Sequence, residues 1–226
     1  MPPCVQKKPV SIWWSSTGVP GTCFLNLFPP APTGAAIPTG GAIENRIQFP
    51  LEVLKRVKDT VGDFPVGYRF LADEWLPDGL KPKESIVLAR ALEREGVGYI
   101  SVMGGTYESF FLPHIVQKSK RPGYMLSLAA AVKRGVGVPV ITAGRISTPL
   151  KAESILKDQK ADLIGLARML WVDPEWPRKA RNGKDRSIRK CSPKCNACFQ
   201  LVMKGKPAFC PRWSRDTRKT YQDLFR

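Results

Sequence analysis

From Glu44 onward the sequence alternates short apolar runs with longer amphipathic ones, and this rhythm limits the fold more than any other feature of the chain. "LEVLKRVKDTVG" sets Leu51, Leu54, Val57 and Val61 at helical spacing and stops on Gly62, which reads as an amphipathic helix with a glycine end. "FPVGYRF" then reads as a buried strand, "KESIVLARALEREG" as a helix closing on Gly96, and "VGYISVM" as a strand. The pattern continues with "YMLSLAAAVKRGV" (helix), "VPVITAG" (strand), "TPLKAESILKDQK" (helix), "ADLIGLAR" (strand) and "DPEWPRKARNG" (a last short helix). Strands separated by helices of this length pair in parallel through right-handed crossovers, so the class is α/β.

Each of the four strands runs into a polar or glycine-rich segment: Arg69, "GGTYE", "AGRIS" and "ARML". In a (β/α)8 TIM barrel, ligands sit at the strand C-termini, with phosphate held after the seventh and eighth strands. Four strands make half a barrel, and an open doubly wound sheet is the competing architecture. Arg69 closes an otherwise apolar strand, where a guanidinium needs an anionic or carbonyl partner; snorkelling to the surface or pairing with Asp73 would also satisfy it. Arg145 and Arg168 follow consecutive strand ends, a placement that suits a phosphate. Tyr107 follows two glycines that would let backbone approach a ligand, and its phenol could donate a proton in a shielded site, though tyrosines more often pack. His114, the only histidine, falls in a predicted loop and reads as structural, which leaves little room for a histidine-dependent triad.

The strongest local motif is "CSPKCNACFQLVMKGKPAFC", which spaces Cys191, Cys195, Cys198 and Cys210 as C-x3-C-x2-C-x11-C. Four thiolates can hold either a tetrahedral zinc or a [4Fe–4S] cluster, and spacing alone does not choose between them. Cys4 and Cys23 lie far upstream with no evident partner. No apolar run is long enough to span a bilayer and the N-terminus lacks a secretory pattern, so a cytoplasmic protein without a membrane span is expected. The net charge of +17, most of it after Pro177, marks either a solvated basic surface or an anionic partner.

Taken together, "GGAIENRIQFPLEVLKRVKDTVG", "FPVGYRF", "GGTYE", "VPVITAGRISTP" and "ADLIGLARMLWVDPEW", followed by the cysteines, resemble the flavin barrel of the old yellow enzyme family. More narrowly they resemble its iron–sulfur branch, typified by 2,4-dienoyl-CoA reductase and trimethylamine dehydrogenase. The resemblance runs from about Gly40 to Cys210 and implies a C-terminal half-barrel, from the fourth helix through the eighth βα unit, with a cysteine-rich cluster-binding extension. It implies FMN and a [4Fe–4S] cluster as cofactors, NAD(P)H as electron donor, and a small-molecule substrate with an activated C=C bond such as an enoyl-CoA. By the same resemblance Arg69 contacts the flavin ring, Gly144, Arg145, Ala167 and Arg168 hold the FMN phosphate, and the four cysteines bind the cluster. Tyr107 stands where the dienoyl-CoA reductase has a proton-donating histidine, and the first cysteine gap is one residue longer than the C-x2-C usual in the branch. An amine dehydrogenase on the same scaffold is the nearest alternative. A basic zinc-binding nucleic-acid module is a more distant one, without a recognised finger or RNA-binding motif. A homo-oligomer is compatible with either enzyme.

The residues before this match differ in kind, because no charged residue occurs between Lys8 and Glu44. The family carries a GFDxVEIH strand and an SPxTNxRxDxYGG segment at that place. If the last base of each codon is read as the first of the next, the codons of residues 1–40 allow a peptide containing "GSAGYLLSE" and ending in "SPRTNRRSDPYG", which flows into "GAIENR". The expectation is therefore three segments: 1–39 read out of frame or irregular, 40–185 a partial FMN-binding barrel, and 186–226 the cysteine-rich segment with a basic tail. With strands one to three missing, such a chain is expected to bind FMN poorly and to associate through an exposed parallel edge.

Overall fold

A computed structural model describes residues 42–192 and 194–224. The expectation for residues 1–39, together with Cys4 and Cys23, lies outside the described residues. In chain order the elements are α1 (Ile43–Arg46), α2 (Gln48–Val61), β1 (Gly67–Leu71), α3 (Pro82–Arg94) and β2 (Tyr99–Met103). A 3-10 turn (Ser109–Phe111) precedes α4 (Pro113–Ser119), α5 (Leu126–Lys133), β3 (Val140–Thr142), α6 (Pro149–Lys157) and β4 (Leu163–Ile164). Then come α7 (Arg168–Val172), α8 (Trp176–Arg181), a second 3-10 turn (Asp185–Ser187), α9 (Ala197–Met203) and α10 (Arg215–Asp223).

The four strands form one parallel sheet in the order β1-β2-β3-β4, with Gly67 opposite Tyr99, Ile100 opposite Val140 and Ile141 opposite Leu163. Neighbours in space are neighbours in sequence and the order never reverses, so this sheet has no topological switch point. That is the strand order of a barrel segment rather than of a doubly wound sheet.

Local chemistry fixes the helix ends. Gly62 takes φ +61 and returns its N–H to the Lys58 carbonyl, closing α2. Pro82 opens α3, where the Glu84 carboxylate accepts the Lys81 N–H and also pairs with the buried Arg46 of α1. At its far end Gly96, at φ +74, lets the Val97 N–H reach back to the Leu92 carbonyl. The Ser85 hydroxyl, fully buried, donates to the Ala72 carbonyl at 3.0 Å and ties α3 to the segment leaving β1. Asp162 accepts both the Val140 N–H (2.9 Å) and the Lys133 ammonium (2.6 Å), which sets the start of β3 against α5.

The described residues divide into two compact units. One comprises residues through Gly144 with Ile155–Gly165; the other comprises Arg145–Ser154 with Leu166 onward. The first holds the sheet and a core in which Leu88, Leu92, Ile100, Val102, Ala129, Val132 and Val140 are essentially inaccessible. In the second, Ile146, Met169, Val172, Trp176 and Ile188 are buried, and so is the carboxylate of Asp173.

Three readings of the sequence change here. His114 is the second residue of helix α4 rather than a loop residue, because Pro113 supplies the fixed φ that starts that helix. Arg69 is the third of five residues in β1 and does not close the strand. Helices α9 and α10 form within and after the cysteine motif, α10 with Ser214 as its N-cap, accepting the Thr217 N–H at 3.1 Å.

Candidate functional site

In the first unit the C-terminal ends of the strands are joined by Trp75. β1 and β2 stay in step past their last residues, the Ala72 N–H donating to the Met103 carbonyl and the Gly105 N–H to the Asp73 carbonyl, both at 2.8 Å. The Asp73 carboxylate then accepts the Trp75 N–H at 2.8 Å and holds Trp75 at φ +56, a conformation a bulky residue rarely adopts. Its indole lies over Gly104 and Gly105, where an added Cβ would stand 2.7 Å from ring carbons in each case. Phe110 meets the ring edge-on at 5.8 Å and Tyr124 at a tilt at 6.1 Å. The Tyr124 ring in turn lies 3.1 Å from where a Gly144 Cβ would be, with Gly144 at φ +107. The two glycines before Tyr107, expected to admit a ligand, thus make room for a tryptophan.

Arg69 lies between buried Tyr68 and Phe70, and its Nε points to the Met103 sulfur on the neighbouring strand. Burial pulls its pKa below the ordinary arginine value. Burial likewise pushes the Tyr68 phenol well above its usual range, so that hydroxyl stays protonated. Tyr107 is 39% exposed and packs its ring on Phe111, so within this chain its phenol is not shielded.

In the second unit Arg145 takes φ +54, so the Gly144–Arg145 step places two successive residues in the left-handed region. Such a step is strained for arginine, and strain of this kind gathers where backbone is shaped for a ligand. Consecutive N–H groups near a left-handed residue form a concavity for anions. Ala167 is the N-cap of α7 and offers no side-chain oxygen, and Arg168 is the helix's first residue. Burial raises the pKa of the Cys191 thiol, with the charge of Arg168 and then that of Arg145 opposing it. Two guanidinium groups and the backbone N–H groups beside them are donors of the chemical type that a flavin nucleotide's phosphate takes.

The cysteines fit a cluster in type only. Cys191, Cys195 and Cys198 are half-buried free thiols and Cys210 is buried, and among the described residues no three histidine, cysteine or acidic side chains converge as metal ligands. Cys195 and Cys198 do lie close enough to raise the Cys191 pKa further. The segment leading to them is anchored by Asp173, a residue the sequence reading passed over. Its Oδ2 accepts the Lys179 ammonium (2.7 Å) and the Arg189 N–H (2.9 Å), and the Cys191 N–H points to the Met169 sulfur at 3.4 Å. Among the described residues no helix is long and apolar enough to cross a membrane.

Residues 37–187 match the NADH:flavin oxidoreductase / NADH oxidase family. An NADH oxidase of Thermoanaerobacter brockii is 42% identical over 154 residues, which is 67% of this chain and 23% of that protein. The solved complex of 2-naphthoyl-CoA reductase with 2-naphthoyl-CoA superimposes with a TM-score of 0.74 at 29% identity, covering 80% of this chain and 28% of the other. Histamine dehydrogenase from Rhizobium sp. 4-9 gives a TM-score of 0.71 at 25% identity, covering 84% and 27%. The chain thus spans about a quarter of the length of each of these relatives. With the parallel strand order and this match over residues 37–187, the chain belongs to the NADH:flavin oxidoreductase / NADH oxidase family, the FMN-dependent old yellow enzyme barrels.

Proposed function

We propose that this chain forms part of an FMN-dependent reductase of activated C=C bonds, with an enoyl-CoA-like thioester as substrate. The observation that carries the reading is the strained left-handed Gly144–Arg145 step after β3, with a second arginine, Arg168, opening the helix that follows β4. Likeness to a reductase of 2-naphthoyl-CoA supports the substrate class. When bound, FMN supplies the hydride chemistry, from NAD(P)H to the alkene. Arg145 and Arg168, with the backbone of Gly144 and Ala167, hold its phosphate. Arg69, a permanent cation whose burial heightens its field, stabilises negative charge on the ring. Tyr107 delivers a proton to the substrate carbon opposite the one that accepts hydride. Cys191, Cys195, Cys198 and Cys210 would supply the four thiolates of a [4Fe–4S] cluster, which would relay single electrons.

Three measurements test this. In the assembled reductase, flavin fluorescence quenching should show Arg168→Ala weakening FMN binding roughly ten- to a hundredfold, the worth of a charge-assisted contact to phosphate; unchanged affinity would refute the assignment. In the assembled reductase, Tyr107→Phe should lower kcat about a hundredfold while leaving KM nearly constant, and a wild-type kcat would remove Tyr107 from the proton path. Anaerobic purification with metal analysis decides the cysteines, iron and sulfide with broad absorbance near 400 nm standing against colourless protein with zinc. The likeness to histamine dehydrogenase supports a second reading, an amine dehydrogenase on the same scaffold. Turnover of a primary or methylated amine, with no turnover of enoyl thioesters, would establish it.

A further inference from the structure

The mechanism leaves one feature of the strand-end region unused. The ammonium of Lys118, in the last turn of α4, stands 4.4 Å above the centre of the Trp75 ring. A surface lysine ordinarily moves through many rotamers; this one is held by the ring's negative face, and the ring is itself held between Gly104, Gly105, Phe110 and Tyr124. Two more cations follow at once. The chain turns back on itself here, the Lys120 N–H donating to the Gln117 carbonyl and the Arg121 N–H to the Lys118 carbonyl, so Lys118, Lys120 and Arg121 share one turn. Lys120 and Arg121 are exposed. No aspartate or glutamate occurs between Glu108 and Glu153 to neutralise them within that segment. Trp75 reaches past the ends of β1 and β2, so this charge lies at the C-terminal end of the parallel strands, the end at which ligands of such sheets bind.

We propose that Lys118, Lys120 and Arg121 form a phosphate-binding turn, anchored on Trp75, that takes the phosphorylated handle of a coenzyme A thioester. The helix C-terminus alone would favour cations, but it would not hold one over an indole at a strand end. The identity of the handle rests on the reductase reading above; the phosphate chemistry of the turn does not.

The test uses the purified full chain and titrates adenosine 3′,5′-bisphosphate, coenzyme A and inorganic phosphate by calorimetry at fixed ionic strength. Lys118→Met, which leaves an apolar stem on the indole, should weaken bisphosphate and coenzyme A binding about tenfold, while Lys118→Arg should retain it within about threefold. A charge-matched control at an exposed position on α2, Lys55→Gln, should change it less than about twofold. Equal weakening by the control, or inorganic phosphate binding as tightly as the bisphosphate, overturns the proposal. Enoyl-thioester turnover by the assembled reductase separates the two readings. Loss of bisphosphate binding in Lys118→Met supports the turn whatever the turnover, and absence of that turnover with bisphosphate binding intact counts against the reductase reading alone.

Discussion

Replacing Trp75 with alanine is expected to lower the stability of the first unit by about 3–5 kcal/mol, the range for deleting a buried aromatic ring and leaving its space unfilled. The ring is 9% exposed and touches residues beyond two strand ends, so the surrounding backbone has little freedom to collapse into the space. The positive φ of Trp75 survives the change and gives alanine no relief. Trp75→Phe should cost less than half as much. Phenylalanine keeps most of the apolar contact and removes an indole N–H that is buried without a hydrogen-bond partner among the described residues. Gly104→Ala provides the reciprocal test. In the native chain the new methyl meets the indole at 2.7 Å and Leu128 at 2.6 Å; without the indole, only the flexible end of Leu128 must move. Urea denaturation of the four species should therefore give a double-mutant cycle with a coupling of about 1–2 kcal/mol. Additive costs would show that the glycines are not there for the tryptophan.

The four strands and the helices between them were legible because two periods, near two and near 3.6 residues, alternate cleanly from Leu51 to Ile164. Arg145 and Arg168 could be singled out because chain order alone places them just past strand ends. What was hidden depended on contacts distant in sequence. Trp75 sits in "ADEWLPDG", a string that reads as a polar loop, and nothing local says that its ring will fill the space over glycines 29 and 30 residues later. The same glycines were read as openings for a ligand because a glycine signals close approach without saying what approaches. Lys118 was one basic residue among many until the tryptophan beneath it was in place. Helix α10 had a readable start in Ser214 and Thr217, but its apolar residues are too few to make a stripe; it docks through Tyr221 on Trp213, whose indole donates to the Trp171 carbonyl at 2.6 Å.

Asp173→Ala is expected to destabilise the second unit by about 3–5 kcal/mol, because removing one partner of a buried pair leaves the other uncompensated. The carboxylate is fully buried, and it receives the Lys179 ammonium and the Arg189 N–H on one oxygen. Burial by itself would push its pKa up. The Lys179 and Arg189 hydrogen bonds and the charges of the same two residues outweigh that and hold the carboxyl below its usual range. The sign of the pH effect follows. A group with a depressed folded pKa stabilises fully above its unfolded value, about 4, and loses that contribution as pH falls through the folded value. Thermal melts of the native chain should therefore steepen in their pH dependence below about pH 4. Asp162 contributes with the same sign in the first unit, where the Lys133 contact and the Val140 N–H overcome burial, so the native slope has at least two sources. Asp173→Asn keeps the shape and one acceptor but no titratable charge. It should cost about 1.5–3 kcal/mol at pH 7 and remove only the share of the acid slope that belongs to the second unit. An unchanged slope in Asp173→Asn would show that Lys179 gains nothing from the charge. Arg189 stands two residues before Cys191, so the same substitution should also speed amide exchange at Arg189, where the N–H loses its charged acceptor, while exchange in the strands of the first unit stays unchanged.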